Sequence, residues 1–118
     1  MSTYIAIPSP EVIHKNAVEH GWYEGVTPET LDLHFIPAKL ALIHSEISEA
    51  LEVYRKFGTP APGRSHPCGH GSFGEELADA VIRILDLAGF LDIDLEHCIL
   101  AKHEYNKTRP YRHGGKTV

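Results

Sequence analysis

Cysteine and long apolar runs are nearly missing from this sequence. Cys68 and Cys98 are the only cysteines among 118 residues, too few for the disulfide framework of a small secreted domain. No run approaches the roughly 18 consecutive apolar residues of a membrane-spanning helix. Residues 1–10 also lack the basic and apolar segments of a signal peptide. We therefore expect a cytoplasmic protein with no membrane partner.

An excess of positive charge is missing as well. Eleven Lys and Arg against 16 Asp and Glu give a net charge of −5, which disfavours nucleic acid as a partner. The charge is uneven, since residues 102–118 carry a net +4 and leave −9 on residues 1–101. An acidic body with a basic C-terminal segment indicates that cations and phosphates could meet on one molecule.

Strand-like alternation of polar and apolar residues is absent, whereas helical periodicity is strong. Apolar side chains recur on one face of two long segments, and glycine and proline separate these segments. The sequence therefore predicts an all-α fold, a small helical bundle of about four helices in one domain covering residues 1–118. We expect helices at about 11–20, 38–57, 74–90 and 94–107, with a lead-in at 1–10, a loop at 58–73 and a basic tail at 108–118.

Two pairs of acidic residues lie where the long predicted helices border their apolar stripes. Glu46 and Glu49 are three residues apart, roughly 60° around a helix, and Glu76 and Asp79 repeat this spacing. Like charges so placed destabilise a helix by about 0.2–0.5 kcal/mol per pair. A hard cation such as Mg²⁺ or Mn²⁺, which binds oxygen ligands, would offset this repulsion. Acidic residues at helical spacing are more often plain solvated faces, so the residues alone leave both interpretations open.

Three segments taken together resemble a known enzyme family. Residues 42–52 contain ExxE, residues 75–86 contain ExxD after a spacer of 26 residues, and residues 102–110 contain KxxxN. This combination resembles the MazG-like branch of the all-α nucleoside triphosphate pyrophosphatases, and the resemblance covers roughly residues 38–116. It implies hydrolysis of (deoxy)nucleoside triphosphates between the α and β phosphates, which yields the monophosphate and pyrophosphate.

The resemblance also implies how the acidic residues are used. Glu46, Glu49, Glu76 and Asp79 would hold Mg²⁺, with Mn²⁺ as a substitute and more than one ion per site. Of these four, Glu49 is our candidate to position or deprotonate the attacking water. The alternative is a non-catalytic helical module that binds a nucleotide or a partner protein through the same acidic groove.

Basic residues are the predicted phosphate ligands. Lys102 and Asn106 match the family's phosphate-binding segment and Arg109 is nearly aligned with them, although cations near a helix C-terminus are also favourable without any ligand. Arg83 is either a further phosphate ligand or the ion-pair partner of Asp86.

The base of the nucleotide would need an amide and an aromatic face. Asn16 and Trp22, with Tyr23 beside it, are the candidates, although a tryptophan here is more often a core residue.

Two further expectations concern the cysteines and the assembly. The group His66, Cys68 and His70 lacks a fourth zinc ligand at the usual spacing, so we expect a flexible loop there, and we expect Cys98 in the core. A chain of 118 residues is too small to enclose a deep pocket alone, and members of the family close theirs with further subunits. A homodimer or homotetramer is therefore expected.

Overall fold

A computed structural model describes residues 6–59 and 71–118 of the chain. Within these ranges 67% of the residues are helical and no strand is present, so the all-α prediction is confirmed. The five helices are α1 (Pro10–Glu19), α2 (Phe35–Phe57), α3 (Phe73–Phe90), α4 (Leu95–Lys107) and the four-residue α5 (Arg112–Gly115).

Short polar side chains begin three of these helices. The side chains of Ser9, Ser72 and Asp94 each accept a hydrogen bond from a backbone N–H in the first turn of the helix that follows, which satisfies donors that have no partner within the helix. Gly58 ends α2 with a positive φ of 75° and donates its N–H to the carbonyl of Tyr54, a conformation that glycine adopts without steric cost. The predicted limits of α1 to α4 are correct to within a few residues.

Helix α3 is the centre of the fold, because both α1 and α2 pack against it. The buried apolar side chains of the described residues are mostly small, namely Ala50, Ala80, Leu87 and Ala88. Gly89 lets α1 come close, since a Cβ atom there would lie 2.5 Å from the carbonyl oxygen of Pro10. Close helix approach through small residues therefore replaces a core of large side chains.

Helix α4 departs from the predicted bundle. It does not pack along any other helix of the described chain, and Ile99, Leu100 and Tyr105 are each more than half exposed. The radius of gyration is 17.3 Å, whereas a compact domain of this length would have about 13.5 Å. The predicted four-helix bundle is thus a three-helix unit, to which α4 is joined through residues 91–94. Cys98 is exposed rather than in the core, because it lies on this unpacked helix.

Large apolar side chains remain exposed along α2 and α3. Ile36, Leu40, Ile47, Leu51 and Tyr54 on α2 are 36–56% exposed and fall within an arc of roughly 60° at 100° per residue. A similar row on α3 and its C-cap contains Leu77, Val81, Ile84 and Leu91. We call these two rows the α2 stripe and the α3 stripe. The apolar periodicity correctly predicted both helices. The apolar faces that it identifies, however, stay partly exposed in a single chain.

Several expectations concern features that the fold does not test. None of the described helices is long and apolar enough to cross a membrane. The possible zinc ligands His66, Cys68 and His70 lie outside the described residues, as does most of the predicted loop at 58–73.

Candidate functional site

Three of the four predicted metal ligands converge between α2 and α3. Glu46 and Glu49 on α2 and Glu76 on α3 each offer a carboxylate oxygen, and these oxygens all lie within 4.8 Å of one another. Glu46 is only 7% exposed and is the buried charged residue of the described chain. The i, i+3 spacing on α2 turns both of its glutamates toward α3, as the sequence predicted. We call these three residues the carboxylate cluster.

The charges of the cluster oppose one another. The pKa of Glu76 is raised above its ordinary value, chiefly by desolvation, then by a hydrogen bond with Glu49 and by the negative charges of Glu49, Asp79 and Glu46. Asp79 therefore lies close enough for its charge to raise the pKa of Glu76. Its carboxylate oxygens are not among the three that lie within 4.8 Å of one another. A group of carboxylates that resists full ionisation is stabilised by a bound cation.

Arg83 pairs with one member of the carboxylate cluster. Its Nε donates a hydrogen bond to Oε1 of Glu46 over 2.7 Å, and the two side chains are 39% and 10% exposed. Of the two alternatives for Arg83, the ion pair is thus formed with Glu46 rather than with Asp86, and the role as a phosphate ligand stays a prediction. The salt bridge compensates the burial of Glu46, which would otherwise be strongly unfavourable.

A pocket of about 480 Å³ opens beside the cluster and is lined by parts of α1, α2 and α3. Glu46, Asp79 and Arg83 are among the residues that line it. The structure brings the two predicted base-binding residues, Asn16 and Trp22, to the same pocket. The lining also includes apolar side chains from three helices, namely Ile13, Leu42 and Ile82. The pocket thus combines charged and apolar lining residues, an arrangement typical of small-molecule sites.

Asp86 organises a polar network in this pocket that the sequence did not predict. The hydroxyl of Tyr23 donates to Oδ2 of Asp86 over 2.8 Å, and Nδ1 of His14 lies 2.9 Å from Oδ1. Nζ of Lys39 lies 3.9 Å from Oδ2 and 4.2 Å from the centre of the Tyr23 ring. Burial, and then the hydrogen bond and charge of Asp86, raise the pKa of Tyr23, so the phenol remains a donor at neutral pH. Four chain segments are joined at this carboxylate.

The two neighbouring aromatics Trp22 and Tyr23 have different environments. Trp22 is 73% exposed, so its interpretation as a core residue is wrong. Tyr23 is the packed member of the pair, with its ring stacked on Phe90 at 5.1 Å between ring centres. Trp22 lines the pocket with an exposed ring, which leaves that ring accessible to a ligand.

The predicted phosphate ligands on α4 lie apart from the carboxylate cluster. Lys102 and Asn106 line a separate groove made of α4 residues, and neither they nor Arg109 lines the pocket beside the cluster. Nζ of Lys102 and the guanidinium of Arg109 lie 4.7 Å and 5.7 Å from the centre of the Tyr105 ring. Among the described residues, Lys102 and Asn106 therefore share no pocket with Glu46 and Asp79.

Comparisons with known proteins give no match, since no family model, curated protein or solved structure is significantly similar to this chain. The functional interpretation accordingly depends on the residues and geometry of the chain itself.

Proposed function

We propose that this protein is a metal-dependent nucleoside triphosphate pyrophosphohydrolase that cleaves (deoxy)nucleoside triphosphates between the α and β phosphates. One observation carries the proposal: three carboxylate oxygens from two helices lie within 4.8 Å of one another at the side of a pocket of about 480 Å³. The resemblance of the sequence to the MazG-like pyrophosphatases is the second support.

The donor set fits a hard divalent cation. Glu46, Glu49 and Glu76 offer only oxygen, the ligand that Mg²⁺ and Mn²⁺ prefer, and Asp79 is the fourth proposed ligand. The raised pKa of Glu76, caused chiefly by desolvation and then by the neighbouring carboxylates, supports this assignment, because a cation would favour the ionised carboxylate. When bound, Mg²⁺ would neutralise phosphate charge and acidify water, and we propose more than one ion per site.

The chain's own residues have distinct proposed roles. Glu49 is the exposed member of the cluster, so it is placed to orient an attacking water and accept its proton. Glu46 is fixed by Arg83 and serves to hold a cation rather than to move. Asn16 and the exposed ring of Trp22 would contact the base across the pocket.

The proposed active form is a homodimer or homotetramer. Support comes from the α2 and α3 stripes, whose large apolar side chains are about one-third to one-half exposed in a single chain. Apolar patches of this extent usually mark a contact with another protein.

The deciding experiment is incubation with a panel of nucleoside and deoxynucleoside triphosphates and Mg²⁺, followed by separation of the products. We expect nucleoside monophosphate and pyrophosphate. Glu49→Gln should reduce turnover by about 100-fold or more, because even residues that only support metal ligands contribute about 10- to 100-fold. Glu52→Gln is the matched control, since Glu52 lies on the same helix but pairs with Arg55 at the surface, and it should retain full activity.

Three results would contradict the proposal. Release of orthophosphate and the nucleoside diphosphate would show cleavage at a different bond. Equal activity of Glu49→Gln and Glu52→Gln would show that the cluster is not the catalytic centre. Nucleotide-dependent stabilisation without any product would instead identify a non-catalytic nucleotide-binding module.

A further inference from the structure

The ammonium group of Lys39 is a donor that has no close hydrogen-bond acceptor among the described residues. Its side chain is only 17% exposed and lines the pocket. Oδ2 of Asp86 lies 3.9 Å away, which exceeds the length of a hydrogen bond. The centres of the Tyr23 and Phe35 rings lie 4.2 Å and 5.5 Å away. Because a mostly buried cation needs acceptors in place of the water that it has lost, Lys39 has N–H groups available to a ligand.

Two helical turns separate Lys39 and Asp86 from Glu46 and Asp79 in this pocket. Lys39 and Glu46 are seven residues apart on α2, and Asp79 and Asp86 are seven residues apart on α3. Seven residues advance a helix by roughly 10.5 Å and bring the side chain back to nearly the same face. All four residues line the pocket. A nucleotide whose phosphates lie near Glu46 and Asp79 would therefore bring the outer edge of its base to Lys39.

The neighbouring charge of Asp86 makes this end of the pocket suited to a neutral acceptor. A phosphate at Lys39 would also be repelled by the carboxylate of Asp86, which largely cancels the attraction. Both oxygens of that carboxylate already have partners, since Oδ2 accepts from Tyr23 and Oδ1 lies 2.9 Å from Nδ1 of His14. A carbonyl oxygen carries no net charge and accepts a hydrogen bond from an ammonium group. Lys39 is therefore placed to recognise a carbonyl oxygen rather than a phosphate.

We propose that Lys39 donates a hydrogen bond to a carbonyl oxygen at the outer edge of the base, and that the pocket therefore prefers keto bases. These are hypoxanthine, guanine, uracil and thymine, whereas adenine and cytosine carry an amino group at the corresponding position. An amino group would oppose one donor to another and leave the ammonium group without an acceptor. This inference rests on the proposed function, because it takes the ligand to be a nucleotide with its phosphates near Glu46.

Binding of nucleoside monophosphates tests the proposal without turnover, because they lack the bond that the proposed reaction cleaves. Inosine and adenosine monophosphate form one matched pair of a keto and an amino base, and uridine and cytidine monophosphate form the other. Titration calorimetry with Mg²⁺ should show that the keto member binds about 10- to 100-fold more tightly, since a hydrogen bond to a charged group contributes this factor. A preference in either pair supports the proposal, and the pair that shows it identifies the ring size.

Two lysine variants assign this preference to one side chain. Lys39→Met keeps the length of the side chain and removes its donors, so the two members of a pair should bind equally. Lys15→Met is the matched control and should retain the wild-type preference, because Lys15 is 77% exposed and pairs with Glu19 outside the pocket. Urea denaturation verifies that each variant is folded. A wild-type protein that binds both members of each pair equally would overturn the proposal without any variant.

Two results for Lys39→Met would also overturn it. An unchanged preference would mean that another group recognises the base. Weaker binding of all four nucleotides and of inorganic pyrophosphate, by the same factor, would mean that Lys39 contacts phosphate.

Failure of this inference and failure of the proposed function give different results. A protein that prefers keto monophosphates but hydrolyses no triphosphate would retain the base recognition and contradict the proposed reaction. A protein that converts inosine and adenosine triphosphates to monophosphate and pyrophosphate with equal kcat/KM would retain the reaction and contradict the base recognition.

Discussion

Asp86 shows how one side chain holds several segments of this chain together. It accepts from Tyr23, lies 2.9 Å from His14 and is near Lys39, and its own side chain is only 13% exposed. Removing the carboxylate charge would leave a tyrosine hydroxyl and a lysine with weaker partners in a half-buried environment, and such losses are costly.

We therefore predict that Asp86→Asn lowers the free energy of unfolding by about 1–3 kcal/mol. Urea denaturation at a fixed protein concentration measures this. Glu104→Gln is the control, because Glu104 pairs with Lys107 at the surface and exposed pairs contribute at most about 1 kcal/mol. An equal effect of both substitutions would mean that the Asp86 network does not stabilise the fold.

Glu76 gives a prediction for pH. Because its pKa is raised in the folded protein, ionising it costs more in the folded than in the unfolded state. Its contribution to stability is therefore fully present below the pKa of an unfolded glutamate and is lost as pH rises through the raised pKa. Without metal, Glu76→Gln should melt at a higher temperature than wild type at neutral pH, and this difference should shrink on acidification. Thermal melts in chelator at several pH values measure it, and a difference that grows on acidification would contradict the sign.

Residues of the site differ in how far the sequence predicts them. The i, i+3 spacing and the border of an apolar stripe predict that Glu46, Glu49 and Glu76 lie where helices meet, whereas their role as metal ligands is implied by the family resemblance. The partners of Asp86 were not predicted, since Tyr23 and His14 are 63 and 72 residues away along the chain. Such contacts depend on how helices pack, which local periodicity does not contain.

At the scale of helices, the contact between α1 and α3 depends on Gly89. Alanine is the better helix former by about 1 kcal/mol, so propensity alone predicts that Gly89→Ala stabilises the protein. The added Cβ atom would instead lie 2.5 Å from the carbonyl oxygen of Pro10 and 2.6 Å from Cβ of His14, and such overpacking costs about 1–3 kcal/mol.

We predict a net loss of stability for Gly89→Ala, seen as a lower urea midpoint. The control is Ser48→Ala, an exposed position within α2 where alanine is also the better helix former, by a smaller margin, and adds no atom, so stability should be unchanged or slightly higher. A stabilised Gly89→Ala variant would show that α1 does not approach α3 as closely as described.

Helix limits were more predictable than helix packing. Caps and breakers such as Asp94 and Gly58 act within one turn, so the sequence contains the information that sets an end. The sequence does not contain the information that determines which helix packs against which. The apolar residues of α4 predicted that this helix packs in the bundle, yet Ile99 and Leu100 are exposed.

For the whole molecule, the exposed α2 stripe predicts association. Leu51 lies in that stripe and is 56% exposed, whereas Leu33 lies outside it and is 88% exposed. A charged side chain at an exposed position of a monomer changes stability by at most about 0.5 kcal/mol. In an apolar interface the same charge would lose its hydration and prevent association.

We expect wild type and Leu33→Glu to have the mass of a dimer or tetramer by light scattering, and Leu51→Glu to have the mass of one chain or to aggregate. A wild-type protein that is monomeric and active would contradict the proposed assembly.

The small core of the single chain has one more consequence. With Ala50, Ala80, Leu87 and Ala88 as its buried apolar side chains among the described residues, one chain has little to hold it folded alone. Assembly and folding would then form a single equilibrium governed by mass action. The melting temperature should rise with protein concentration, and dilution should lower the activity per chain as subunits separate and unfold together.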